Sequence, residues 1–345
     1  MNFTCPTPLT GSDRILLGHG SGGTLSAALL SEIVLPAYNN TILERMEDQA
    51  TLDINGITLA FTTDSFVVKP IFFPGGDIGS LAVHGTINDL AMGGARPVAL
   101  SVAMILEEGF AVSDLKRIAG SIGVAARACG VPIVTGDTKV VGRGSGDGIF
   151  LNTTGIGIVP RGLQLSAANA RPGDIVILSG SIGDHGIAIL AQREGLSLDS
   201  AIESDSAPLH TLAASILNVT FEVRCMRDPT RGGLSSTLNE IARQSGVGIT
   251  IQETAVPVRE DVRGVCELLG LDPLYVANEG KMVAIVPPQS AAAVLAAMRA
   301  HPLARDAAII GEVTEGESGL VLQRTAFGTH RIVTMLAGDQ LPRIC

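Results

Sequence analysis

No single hydrophobic period persists along this chain of 345 residues. From about residue 57, short β-branched apolar runs and glycine-bounded runs of helical spacing replace one another repeatedly. A chain that changes period this often cannot be a coiled coil, a repeat of one element or a membrane span; it must stack helices on sheets. The length also exceeds what one hydrophobic core usually serves, so two domains are expected, each of α/β or α+β layers.

The runs can be followed in order. "GITLAFTTDSFVV" reads as a strand, or a pair of strands, ending at Asp64 or just beyond. "GGDIGSLAVHGTINDLAMGG" has glycine at both ends and helical spacing between, which puts Asn88 and Asp89 near the last turns of a helix. "RPVALSVAMIL" is a strand, and "SDLKRIAGSIGVAARACG" a helix with Ser113 as N-cap and Gly130 as stop. "VPIVTGDTKVV" reads as a strand interrupted at Gly136 and Asp137, and "IFLNTTGIGIVP" closes the half. "RPGDIVILSG" then makes a fresh start, a Pro-Gly turn feeding a buried strand, so the domain boundary falls near residue 165. A helix from about His185, and further helices and strands through "AAIIGEV", complete the second half.

Composition narrows the partners. The chain is 46% apolar and 17% charged, with 41 glycines and no tryptophan, as in a compact, loop-rich enzyme. Its formal charge of −10, without a Lys/Arg cluster, disfavours nucleic acid and anionic membrane. An acidic protein that binds a nucleotide would need a divalent cation between carboxylates and phosphates. No apolar run has the length of a membrane span, and "MNFTCPTPLT" lacks the regions of a signal peptide, so the cytoplasm is the expected compartment. Five scattered cysteines without a CxxC pair indicate neither a disulfide framework nor structural zinc, and Cys129, Cys225 and Cys266 read as buried, inert thiols.

Several stretches carry chemistry. "GHGSGG" (18–23) formally matches GxGxxG, but "RILL" is barely a strand and no βαβ unit follows. A glycine-rich phosphate cover, with backbone N–H groups, His19 and Ser21 near phosphates, competes with an arm that has no role. No Walker motif exists, because "EGKM" puts Met282 where Ser or Thr would hold magnesium. Asp48, Asp64, Asp89 and Asp137, each in a polar turn-like setting, suit hard magnesium ions, although a lone turn aspartate usually bonds its own backbone. Lys139 follows Asp137 by two residues, on the same strand face or simply exposed. "RDPTRGG" (227–233) either caps a helix or, through Arg231 and its glycines, binds an anion. "ANEGK" (277–281) puts Glu279 in a turn, as a general base or a solvated residue. The last dozen residues lose periodicity and end in Cys345; fully extended they would reach about 40 Å, and the alternative is a frayed terminus.

Together, "HGSGG", "TTDSFVV", "FFPGGDIG", "INDLAMGGARP", "ILEEG", "VTGDTKVV", "RDPTRGG", "ANEGK" and terminal "PRIC" resemble the HypE family of hydrogenase maturation factors over nearly the whole chain. The terminal cysteine motif separates that family from its relatives, the aminoimidazole ribonucleotide synthetases, selenophosphate synthetases and thiamine-phosphate kinases. The resemblance implies a two-domain aminoimidazole ribonucleotide synthetase-like α/β fold (α+β layers) whose N-terminal sheet pairs across a homodimer. The expected organisation is an arm and helix over 1–40, an ATP-binding and dimerisation domain over 41–165, a C-terminal domain over 166–333 and a flexible tail over 334–345.

It also implies a reaction. The carbamoyltransferase HypF would load a carbamoyl group on Cys345, ATP would drive its dehydration to a thiocyanate, and cyanide would pass to iron on a HypC–HypD scaffold for nickel-iron hydrogenase. Implied catalytic residues are Cys345, Glu279 as base and Lys139 as orienter or relay, with His84 a lesser helper. ATP would be held by His19, Gly20, Ser21, Gly22, Gly23, Asp64, Asn88, Asp89, Gly136, Asp137, Thr138, Asp228 and Arg231, and Mg2+ by Asp48, Asp64, Asp89 and Asp137. Three rivals stand beside this reading. A selenophosphate synthetase would use an N-terminal cysteine beside a lysine, and Cys5 has no such neighbour. The others are a non-catalytic nucleotide-binding scaffold and a Rossmann oxidoreductase.

Overall fold

The protein is described by a computed structural model over residues 14–196 and 202–338. Cys5, Pro342, Arg343 and Cys345 lie outside the described residues. Helices α1 (Thr24–Leu29) and α2 (Leu35–Tyr38) form one helical stretch joined by a π-helical turn, Leu30–Val34. Pro36 accounts for the join, since it has no N–H to donate and its ring crowds the preceding turn.

The first sheet is built from β1 (Ala50–Ile54), β2 (Ile57–Phe66), β5 (Arg96–Glu107), β6 (Ile133–Val141) and β7 (Ile149–Ile158), in the order β1-β2-β7-β5-β6. Between them lie a small ribbon, β3 (Phe72–Phe73) with β4 (Gly76–Asp77), and two helices, α3 (Ile78–Met92) and α4 (Val112–Ala128). The strand alternation holds: β7 buries every second residue over most of its length. Asp77 caps α3 by accepting from the N–H groups of Gly79 (2.8 Å) and Ser80 (3.0 Å), while Ser80 Oγ accepts from Asp77 N–H. α4 starts one residue before the expected cap: Ala111 is extended ahead of Val112, and Ser113 falls in the first turn.

β6 corrects a second expectation. It runs unbroken through Gly136 and Asp137, parallel to β5, with an irregularity between Leu100↔Ile133 and Ser101↔Thr135. Gly136 is needed for closeness: a Cβ there would strike the Val102 carbonyl of β5.

The second sheet gathers β8 (Ile175–Leu178), β9 (Cys225–Arg227), β10 (Gly248–Gln252), β11 (Val283–Val286), β12 (Ala308–Thr314), β13 (Val321–Arg324) and β14 (His330–Ile332). Their order is β14-β13-β10-β12-β8-β11-β9, with β10 and β13 parallel and the other pairs antiparallel. Helices α5 (Asp184–Arg193), α6 (His210–Leu217), α7 (Gly233–Ser245), α8 (Glu260–Leu269) and α9 (Pro288–Ala300) complete the half. Antiparallel pairing in both sheets makes this α+β layering, with Cys129, Cys225 and Cys266 free and buried, as read from the sequence.

Two apolar clusters cross the junction of the halves. One joins Phe66, Ile87 and Ile122 to Ile187, Val262 and Val276; the other joins Leu90 and Met92 to Leu209, Ile216 and Met282. Burial on this scale holds the sheets in fixed relation and leaves a cleft between them. Among the described residues no helix is long and apolar enough to cross a membrane.

Candidate active site

The cleft holds a cavity of about 730 Å³. Its walls bring together residues far apart in sequence: His19, Gly20, Gly22 and Gly23; Asp48; Asp64; Asp89; Asp228 and Arg231; and Glu279. Asp64 sits on β2, Asp89 near the end of α3, and Asp228 in the loop between β9 and α7.

Glu279 is the most constrained of these. It is buried, with its backbone fixed on both sides: its N–H donates to Asp205 Oδ1 at 3.0 Å, and its carbonyl accepts from Asn88 Nδ2 at 3.2 Å. Asp205 is itself paired to Lys281 at 2.9 Å. The Glu279 carboxyl titrates well above the usual carboxylate range, first because burial strips its solvent and then because Asp228, Asp205 and Asp64 repel its charge. The sequence left base and solvated turn residue open; a fully solvated glutamate is excluded.

Asp89 also titrates well above its ordinary value, through burial and then the charges of Asp228, Asp64 and Asp48, with a 2.7 Å hydrogen bond from Thr62 pulling the other way. Burial, followed by Asp48, pushes Asp228 up to about 8. Asp64 is raised by burial against the nearby Arg231 charge. Carboxyl groups therefore outweigh the guanidinium groups of Arg227, Arg231 and Arg243 on the cavity wall.

Asp48 meets the one buried guanidinium on the wall. Arg227 Nη1 is paired to it, while Nη2 donates to Met46 O at 3.1 Å and lies 3.6 Å from Glu240. Burial raises the Asp48 carboxyl and Arg227 works against the rise. Met46 adopts a left-handed backbone (φ 50°), uncommon for a residue other than glycine, which turns its carbonyl to Arg227 and to Gln244 Nε2 at 3.3 Å. Arg227, Glu240, Gln244 and Asp205 were not singled out from the sequence. The available signal was the i, i+4, i+8 spacing of Ser236, Glu240 and Gln244 on α7, which reads as a solvated stripe until the cavity is seen.

The glycine-rich segment is stitched together rather than loose. Gly22 N–H donates to Ser26 Oγ at 3.0 Å, and Ser26 Oγ donates to His19 O at 2.9 Å. Gly23 leaves room for the Leu336 carbonyl, which accepts from Thr24 N–H at 2.8 Å. Residues 17–20 form a 3-10 turn and no strand precedes the motif among the described residues, so the Rossmann reading fails here. The root of the tail, residues 334–338, is tied down: Ser235 Oγ donates to Thr334 O at 2.6 Å, and Ser21 Oγ reaches Gly338 O at 3.5 Å.

Some expected site residues are placed elsewhere. Gly136, Asp137, Thr138 and Lys139 lie on β6, an exposed edge strand, and are not among the cavity walls. Asp137 and Lys139 pair with each other at 2.9 Å in solvent, so within one chain neither a four-carboxylate magnesium set nor a Lys139 relay assembles. Asn88 does not line the cavity; it ties α3 to the second half, accepting from Leu209 N–H at 2.7 Å and donating to Ala207 O and Glu279 O. Ser21 is not on the wall. His84 is mid-helix, bonded to Ser206 Oγ at 3.0 Å, with its pKa lowered to about 4 by burial. Asp228, Pro229 and Thr230 precede α7 without capping it, and Gly232 is the cap.

The donor chemistry fits a magnesium–nucleotide. Among the described residues no three His, Cys, Asp or Glu side chains converge into a metal cage. Mg2+ usually needs none, because one or two carboxylates complete its shell with phosphates and water.

Known proteins fit this description. A family profile for the N-terminal domain of AIR synthase related proteins matches residues 46–159, and one for the C-terminal domain matches residues 171–323. The carbamoyl dehydratase HypE of Azotobacter vinelandii is 58% identical over 327 residues, 95% of this chain and 96% of its own. A crystal structure of a HypE–HypF complex contains a chain 49% identical, with a TM-score of 0.86, covering 90% of this chain and all of that one. A structure of HypE in complex with ATP is 52% identical, with a TM-score of 0.81, covering 96% of this chain and all of that one. The chain belongs to the HypE family of carbamoyl dehydratases within this two-domain class.

Proposed function

We propose that this chain is an ATP-dependent carbamoyl dehydratase of hydrogenase maturation. The thiocarbamate on Cys345 gives its oxygen to the γ-phosphoryl group of ATP, and the C–O bond then breaks to leave a thiocyanate, ADP, phosphate and a proton. The oxygen is a poor leaving group until phosphorylated, and transfer of this kind is mostly positioning and charge neutralisation. The observation that carries the reading is Glu279, a buried carboxylate with an upshifted pKa on the wall of an acidic cavity, within a chain so similar to carbamoyl dehydratases.

The residues divide the work. One or two of Asp64, Asp89 and Asp228, completed by phosphate and water, would hold Mg2+, which would supply charge neutralisation on the phosphates. Residues 18–23 cover the phosphates, held in shape by the N–H groups of His19, Ser21 and Gly22, which donate to neighbouring residues of the arm. Glu279 takes a proton from the carbamoyl nitrogen as phosphate leaves; burial and its acidic neighbours make it more basic than an ordinary carboxylate. Asp48 is engaged by Arg227, which argues for a structural part in the site.

β6 offers an edge with Val134 and Val140 exposed, and we infer that a second copy pairs there. Homodimerisation would take Asp137 and Lys139 out of solvent and give them a place at a subunit boundary. HypF as the source of the carbamoyl group follows from the complex its relative forms. A HypC–HypD scaffold as cyanide acceptor, and the cytoplasm as compartment, belong to the same reading; free buried thiols suit a reducing environment.

The test is mass spectrometry of the C-terminal peptide after incubation with carbamoyltransferase, carbamoyl phosphate and Mg-ATP. Cys345 should gain a carbamoyl group and lose the elements of one water only with hydrolysable ATP. An unmodified peptide beside an active partner would remove the carrier; ATP turnover independent of Cys345 would favour the selenophosphate reading, and ATP binding without turnover the scaffold.

A further inference from the structure

The backbone of Glu279 is gripped by a strap that is not itself on the cavity wall. Residues 204–207 run between α5 and α6 without helix or strand and are tied to both halves. Toward the first half, Ser204 N–H donates to Pro74 O at 2.8 Å, Ser206 Oγ is bonded to His84 Nδ1 at 3.0 Å, and Ala207 O accepts from Asn88 Nδ2 at 3.1 Å. Toward the second, Ser204 Oγ is bonded to His185 Nδ1 at 2.7 Å, and Ala207 N–H donates to Glu279 O at 3.4 Å. Two glycines allow the close approach: a Cβ on Gly75 would strike the backbone of Ser204, and one on Gly280 the backbone of Asp205.

Within the strap, Asp205 divides its two carboxylate oxygens. Oδ1 accepts from Glu279 N–H at 3.0 Å, and Oδ2 accepts from Lys281 Nζ at 2.9 Å. The one carboxylate thus spans Gly280, the neighbour of Glu279 with the widest torsional freedom. The side chains of Lys281 and Asp205 are only 12% and 5% exposed. A buried ion pair adds little net stability, because desolvation of both charges offsets their attraction; what this one supplies is a fixed geometry for the turn. Neither residue is on the cavity wall, so their effect on the reaction passes through Glu279.

We propose that Asp205, anchored by Lys281, is a positioning residue for dehydration: it fixes the backbone from which the Glu279 carboxylate meets the carbamoyl nitrogen. The proposal rests on the dehydratase reading of the cavity.

The experiment is single-turnover mass spectrometry of carbamoylated Cys345 in the full chain, with carbamoyl loading and Mg-ATP affinity measured beside it. Asp205→Ala removes the acceptor and strands Lys281. Dehydration should slow about 100-fold, the effect of a displacement of roughly 1 Å near a reacting group, with loading and affinity kept. Asp205→Asn/Lys281→Met retains an acceptor for Glu279 N–H and leaves no orphaned charge. It should regain about 10-fold of the lost rate, because a neutral acceptor makes the same bond at about half the strength. Undiminished dehydration in Asp205→Ala overturns the proposal and leaves the dehydratase reading intact. A parallel loss of loading, affinity and rate overturns it as well, since the pair would then be merely structural. If Asp205→Ala does not fold, the double variant decides: dehydration within about 10-fold of wild type supports the proposal, and a deeper loss overturns it. Wild-type Cys345 that is loaded but never dehydrated brings down the dehydratase reading and the proposal with it, a result that no Asp205 variant can imitate.

Discussion

Arg227→Met is the most informative stability perturbation. Methionine keeps most of the stem's packing and removes the charge from a side chain only 6% exposed. The change leaves Asp48, whose side chain is 19% exposed, without its cation and still near Glu47, and deprives Met46 O of one of its two donors. Removing one member of a buried ion pair costs about 3–5 kcal/mol. Asp48 can escape part of that by taking up a proton, so about 3 kcal/mol is expected near neutral pH. For a domain of this size that is roughly 6–12 °C in melting temperature. Because the escape is easier in acid, the loss should be smaller at pH 5.5 than at pH 8. The double variant Asp48→Asn/Arg227→Met removes the orphaned charge as well and should melt above Arg227→Met alone, with a coupling of roughly 1–3 kcal/mol. Calorimetry of the four proteins at both pH values decides it. A loss below about 1 kcal/mol at pH 8, or strictly additive single costs, would refute the view that the pair is buried and coupled.

Glu279→Gln should bind Mg-ATP and accept a carbamoyl group but dehydrate it about 100- to 10,000-fold more slowly in single-turnover mass spectrometry. The nucleotide-free protein should lose stability as pH rises from about 4 toward 8. Asp228, Asp89 and Glu279 have folded pKa values raised above their unfolded ones, so the folded state binds more protons in that window and rising pH works against it. Mg-ATP should flatten that fall, and equal slopes with and without it would count against carboxylates facing the ligand. Asn88→Ala removes three hydrogen bonds between the halves, one of them to Glu279 O; it should lower stability by about 2–4 kcal/mol and slow dehydration, whereas an effect on ATP affinity alone would restore Asn88 to the nucleotide site. Val140→Asp on the β6 edge should shift the protein to monomer in light scattering, and a persistent dimer would move the interface elsewhere.

The sequence by itself carried the local elements and the chemistry of the loops. β2, α3, β5 and β7 follow from periods of 2 and 3.6 bounded by glycine, because these patterns are local consequences of backbone geometry. The motifs around Asp64, Asp89, Asp228 and Glu279 announced a site, because acidic and glycine-rich turns between apolar runs are poor core and good ligand surface. The unbroken path of β6 was hidden, since its glycine answers to the Val102 carbonyl of another strand. So was the part played by Arg227, Ser236 and Gln244: the same polar stripe would face solvent on an isolated helix, and only packing of the two halves turns it into a cavity wall. Periodicity tells a residue which side of its own element it occupies. What that side faces is decided by long-range burial, which brings residues 48, 64, 89, 228 and 279 to one cavity while leaving residue 137 on an open edge.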